Sequence, residues 1–154
     1  MRALQDDGFD AWSMAVNISS VQLQHDKLVE VVKAALDHNR LAPQHLILEI
    51  TETTAMADAE ASLNVLERLT ELGVNVSIDD FGTGYSSLLY LKKLPANELK
   101  IDRGFVSELV DRDDEAIVSA IIGLGKTLGL KIVAEGVETE AQQQLLSKLG
   151  CDTL

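Results

Sequence analysis

The stretch "SIDDFGTGYSS", residues 77–87, decides how this chain is read. An apolar run over 74–78 ends in two adjacent carboxylates, Asp79 and Asp80. Two glycines, an aromatic and two hydroxyls follow at once. A compact apolar run bounded by turn residues reads as a buried strand. Two like charges side by side repel, so placing them at a strand end makes sense if a cation sits between them.

The same arrangement recurs along the chain. "SMAVNIS" (13–19), "HLILEIT" (45–51), "VNVSIDD" (74–80), "ELKID" (98–102) and "KIVAEG" (131–136) all read as strands. Helical spacing lies between them. Segment 21–38 places Leu28, Val31, Val32 and Ala35 on one face, and "AP" at 42–43 breaks it. Segment 59–72 carries the stripe Leu63, Leu66, Leu69, Leu72 and closes on Gly73. A short helix over 87–94 ends at Pro95, and 114–128 turns Ile117, Ala120, Ile121, Leu124 and Leu128 inward. Thr139 caps a last helix, and "CDTL" (151–154) begins one more strand. No Gly/Ser linker divides the chain, so 1–154 is read as one domain or part of one.

Alternating strands and helices mean a parallel sheet with helices outside. The sheet is either an open doubly wound one or a closed barrel. No glycine fingerprint for a dinucleotide follows the first strand, which continues "NISSVQL". Polar residues recur instead at strand ends: Asn17, Glu49 with Glu52, Asp79 with Asp80, Lys100 with Asp102, and Glu135. A barrel gathers its strand ends into one ring and places its chemistry there. The expected fold class is therefore α/β, a TIM-type (β/α) barrel. Such barrels take about 250 residues, so five strands and a stub predict an incomplete one. The expected consequence is a sheet with bare edges and an uncovered apolar interior, drawn from "AVNI", "LILEI" and "VSI", that self-associates.

Composition narrows the partners. Thirteen basic against 25 acidic residues give a net charge of −12, which repels extended DNA or RNA. The single cysteine, Cys151, excludes an internal disulfide, suits a reducing cytoplasm, and reads as a small apolar residue. "MRALQDDGFD" is no signal peptide, and "AIVSAIIGLG" is too short to span a bilayer. A membrane tether elsewhere in a longer parent stays compatible with this.

Asn17, Glu49, Asp79 and Asp80 are all oxygen donors, which suit Mg²⁺ or Mn²⁺ and argue against zinc. Adjacent carboxylates can bridge two metals about 4 Å apart, as in phosphodiester cleavage. Lys100 would orient water or phosphate, and Glu135 would ligate metal or accept a proton. Each residue has a plainer reading: Asp-Asp as a helix cap or turn, Asn17 as a turn residue, Lys100 as a solvated charge. Glu138 and Glu140 suit a helix N-terminus, His25, His38 and His45 lack ligand spacing, and Trp12 and Tyr90 pack. What favours chemistry is the joint pattern of five successive strands, each ending in such a group. On these residues alone a Mg²⁺-dependent barrel lyase or enolising enzyme using Lys100 remains an alternative.

"VNIS", "LEITE", "DDFGTGYSSL", "LKID" and "AEGVET" occur here in the order and spacing of a known family. Over nearly its whole length the chain resembles the EAL-domain phosphodiesterases, which hydrolyse cyclic di-GMP to linear pGpG in bacterial signalling. The resemblance implies Asn17, Glu49, Asp79 and Asp80 as metal ligands, with two Mg²⁺ or Mn²⁺ ions expected in a complete site. It implies Lys100 and Glu135 as catalytic groups, and Glu52 as the holder of the loop after Asp80. Gly82, Thr83 and Gly84 in that loop, with Asp102 and Glu138, are expected to support substrate or loop. The loop links the site to a dimer interface in active members, which implies a homodimer. The family's Glu-Ala-Leu motif and its "QGY" segment do not occur in these 154 residues. The reading is thus a partial EAL domain over 1–154, from a parent that is an active phosphodiesterase with other domains attached. The fragment itself is expected to be inactive. A non-catalytic cyclic di-GMP receptor or scaffold is the alternative.

Overall fold

The computed structural model describes residues 1, 8, 11–25, 27–82, 88–109 and 112–154, with 112 and 113 described by backbone alone. Strand β1 (Met14–Asn17) is followed by helices α1 (Ser20–Leu23) and α2 (Leu28–Asn39). Strand β2 (Leu46–Thr51) runs directly into α3 (Glu52–Ala57), then α4 (Ala59–Glu71). Strand β3 (Asn75–Phe81) leads to α5 (Leu88–Leu91), and β4 (Glu98–Ile101) to α6 (Arg103–Ser107) and α7 (Arg112–Thr127). Strand β5 (Lys131–Ala134) and α8 (Glu140–Leu149) complete the order.

The sheet settles the choice of topology. Its five strands lie in the order β1-β2-β3-β4-β5, every pair parallel. A doubly wound sheet reverses direction at a switch point, whereas this one never does. With crossovers of one hand, an order that always advances puts all helices on one face. "CDTL" does begin the next unit, through a parallel bridge between Val133 and Thr153.

That one-sided layering corrects the expected apolar interior. Leu48, Ile50, Val76, Ile78, Leu99, Ile101 and Ile132 are at most 2% exposed and form the core under the helices. Side chains alternate along a strand, so the opposite face carries Glu49, Asn75, Ser77, Asp79, Glu98, Lys100 and Lys131. That face is mostly polar, with Ala15, Ile47 and Val133 as its apolar members. Open apolar surface lies instead at the β1 edge, where Met14, Val16, Ile18, Leu28 and Val31 line a groove of about 370 Å³.

Helix details differ from the spacing in three places. The expected helix over 21–38 breaks between Leu23 and Leu28, where the capping box of Ser19 and Gln22 closes a single turn. In α2, Leu28, Val29, Val32 and Leu36 are buried while Val31 and Ala35 are exposed. In α7, Val118, Ile121 and Ile122 are buried, whereas Ile117 is 47% exposed. Caps account for the sharp ends. Thr51 caps α3, Asp58 caps α4, and Thr139 with Gln142 forms a capping box on α8. No helix among the described residues is long and apolar enough to cross a membrane.

Candidate active site

The register brings the strand ends together on the polar face. Asn17 lies opposite Glu49 across β1 and β2, and Thr51 lies opposite Asp79 across β2 and β3. Lys100 projects from β4 and Glu135 follows β5. The Lys100 ammonium is the centre of the cluster. It stands 2.8 Å from Glu49 Oε1, 3.1 Å from Asp79 Oδ1 and 2.7 Å from Glu135 Oε1. Carboxylates from three strands thus converge on one cation. Burial pulls the Lys100 pKa down, but hydrogen bonds to Glu135, Glu49 and Asp79 outweigh it and hold the group well above the ordinary lysine value.

Asp80 joins this cluster through a break in strand geometry. Neighbouring residues in a regular strand face opposite sides. The β3–β4 register slips between Ile78 and Phe81, and Asp80 adopts φ +53°. A bulge with a residue in the left-handed region re-aims a side chain in this way. Asp80 N–H donates to Asp79 Oδ1 at 3.1 Å. Burial first, then the charges of Asp79, Asp102 and Glu135, push the Asp80 carboxyl above its usual range, against the opposing pull of Lys100. The rim therefore holds more negative charge than one ammonium offsets.

The flanking residues are held by short anchors. Glu52 is 2% exposed, and its Oε2 accepts the Gly82 N–H at 2.9 Å. Gly82 sits at φ +100°, and a Cβ there would meet the Phe105 ring at 2.7 Å. Asp102 caps α6 by accepting the Gly104 N–H at 2.9 Å. Glu138 is exposed, its backbone N–H donating to Gln142 Oε1. Asp102 and Glu138 both line a cavity of about 320 Å³ with Arg103 and Gly136. Thr83 and Gly84 lie outside the described residues.

Spacing alone missed Arg103. It lines a second cavity, of about 480 Å³, together with Glu135 and Gly136. Its signal was available: a cation directly after the strand-ending Asp102. Cys151 is half-buried, and burial followed by the Asp152 charge pushes its thiol up to about 11.

The donor set fits a hard divalent cation. Among the described residues no three His, Cys, Asp or Glu side chains stand in metal-binding geometry. The Lys100 ammonium instead lies among the carboxylate oxygens of Glu49, Asp79 and Glu135. All the candidate donors are oxygens, the type that suits a hard cation.

A family profile described as the EAL domain matches residues 1–154. The chain belongs to the EAL domain family. It is 64% identical over 155 residues to the bifunctional diguanylate cyclase/cyclic di-GMP phosphodiesterase MucR of Pseudomonas aeruginosa, covering 100% of this chain and 23% of that protein. It is 44% identical over 153 residues to the cyclic di-GMP phosphodiesterase NbdA of the same organism, covering 99% of this chain and 20% of that one. The chain thus spans a quarter or less of these relatives. Among solved structures it resembles the MucR phosphodiesterase in complex with c-di-GMP, with TM-score 0.94 and 64% identity over 98% of this chain and 62% of that one. It also resembles the EAL domain of Mycobacterium smegmatis DcpA, with TM-score 0.91 and 43% identity over 97% and 68%. EAL domains are TIM-type barrels, and the five-stranded parallel sheet here is part of one.

Proposed function

We propose that the domain to which these residues belong is a Mg²⁺- or Mn²⁺-dependent phosphodiesterase that opens cyclic di-GMP to linear pGpG. The observation that carries the reading is the convergence of Glu49, Asp79 and Glu135 on Lys100, with Asp80 beside them. The relatives named as cyclic di-GMP phosphodiesterases support the substrate.

Asn17, Glu49, Asp79 and Asp80 would hold the metal, which when bound activates water and offsets charge on the phosphodiester. Glu135, 42% exposed, would accept the proton of the attacking water. The water oxygen would bond to phosphorus as one ring P–O bond breaks, and the leaving ribose oxygen would take up a proton from solvent to become a free hydroxyl. Lys100 stays protonated near neutral pH, so its role is electrostatic, on the phosphoryl oxygens, rather than proton transfer. Arg103 offers a second cation to the dianionic ligand. We read the protein as one part of a longer, homodimeric cytoplasmic signalling protein, its 1–154 stretch a partial domain.

The test is incubation of a complete domain with cyclic di-GMP and Mg²⁺, followed by chromatography. Formation of pGpG supports the reading. Tight binding without cleavage would favour a receptor or scaffold, and neither would refute the substrate. Ca²⁺ in place of Mg²⁺ should block turnover, since its longer bonds and larger ligand number misplace the water.

A further inference from the structure

The described residues on either side of 83–87 are tied to the starts of two successive helices, α3 and α4. On one side, Gly82 N–H donates to Glu52, the first residue of α3. On the other, the Tyr90 hydroxyl in α5 donates to the carbonyl of Ala59, the first residue of α4. Helix α3 is itself fixed. Thr51 ends β2 and caps it, and it packs on β2, β3 and α4. Asp58, between α3 and α4, caps α4 by accepting the Ala61 N–H. Tyr90 is half-buried against the core, and burial, then the Asp58 charge, push its phenol above the usual value, so it remains a donor.

A packing role alone would need only the ring, and phenylalanine would serve as well. The hydroxyl reaches one specific carbonyl. We propose that Tyr90 is a positioning residue of the carboxylate rim. Its hydrogen bond to Ala59 and that of Glu52 to Gly82 brace the chain on both sides of the segment that follows Asp79 and Asp80. Glu52 holds Gly82, two residues from Asp80, and Tyr90 holds the far flank on α4, so release at Tyr90 leaves the segment next to the rim tethered on one side only. For its catalytic consequence this rests on the phosphodiesterase reading; for the brace itself it does not.

The test is Tyr90→Phe in a complete domain, which keeps the ring and removes only the hydroxyl. Amide hydrogen exchange at Gly82 should speed up about 3- to 10-fold, the worth of one net hydrogen bond, while Leu48 and Ile50 on β2 keep their rates. With Mg²⁺ and cyclic di-GMP, kcat should fall by a similar factor and KM by less than about twofold, because geometry at the reacting centre is lost rather than ground-state contact. Unchanged exchange at Gly82, or equal acceleration at every amide, would overturn the brace. Faster exchange at Gly82 with full kcat would overturn its catalytic role. A wild-type domain that leaves cyclic di-GMP intact would overturn the phosphodiesterase reading instead, and the exchange at Gly82 would still decide the brace.

Discussion

Lys100 on β4 and Glu135, directly after β5, form a 2.7 Å ion pair that closes a ring of three carboxylates around one ammonium. Removing the ammonium leaves those charges facing each other. Lys100→Met should destabilise the fold by about 2–3 kcal/mol in urea denaturation, less than a fully buried pair because Glu135 is 42% exposed. Added Mg²⁺ should restore part of the loss. The pH dependence follows from the raised Lys100 pKa. Its stabilisation is complete below the ordinary lysine value of about 10.4 and fades as pH rises through the folded-state value. Wild type should therefore lose stability in alkali above about pH 10.4 more steeply than the Met variant.

Asp80 contributes with the opposite sign. A carboxyl whose pKa is raised on folding costs stability above its folded value and ceases to cost it as pH falls. Asp80→Asn should therefore raise the melting temperature of the metal-free protein at neutral pH, by at most about 3 °C given solvent screening. Asparagine also tolerates the left-handed backbone at φ +53°, whereas alanine there costs about 1 kcal/mol or more. Asp80→Ala should gain less or melt lower. A melting temperature for the Asp80→Asn variant below wild type would contradict this.

Two glycines in α7 should respond oppositely to alanine. Gly123 has open space around its Cβ direction, so Gly123→Ala should stabilise by about 0.5–1 kcal/mol through helix propensity. At Gly125 a Cβ would collide with Ile132 of β5, a fully buried residue. Gly125→Ala should cost about 1–3 kcal/mol by overpacking. Chemical denaturation of both variants reads the difference.

Cys151 should be a slow thiol. With its pKa pushed up to about 11, its thiolate fraction at neutral pH is about a hundredfold below that of an ordinary cysteine. Alkylation by iodoacetamide should lag a free-cysteine control by about that factor and accelerate until about pH 11. A rate equal to the control at neutral pH would contradict the burial.

The strand ends were legible because each polar residue interrupts an apolar run at the same point of successive units. The polar inner face was also written there, as Asn75, Ser77, Glu98 and Lys131 at alternate positions, yet the apolar runs drew attention to the helix side. The phase of α7 was not legible. "AIVSAIIGLG" offers apolar residues on both sides of the helix, and only packing against β4 and β5 selects Val118 over Ile117. The Asp80 bulge had a signal that spacing overlooks: two adjacent residues cannot share one face of a regular strand. The brace at Tyr90 had none, since Ala59 acts through its carbonyl, which any residue would supply.

Because the strands pair in the order they occur, each one meets a partner already made. Met14 faces Leu46, Ile47 faces Asn75, Ser77 faces Glu98, and Glu98 faces Lys131. Among the described strands β1–β5 none waits for a distant one, so loop-closure cost stays small at each of these steps. On the ribosome, where chain emerges at about 5–20 residues per second, the sheet can grow by one strand per helix. The carboxylate rim would then be assembled one side chain at a time, and Lys100 would arrive only after Glu49, Asp79 and Asp80 were already in place.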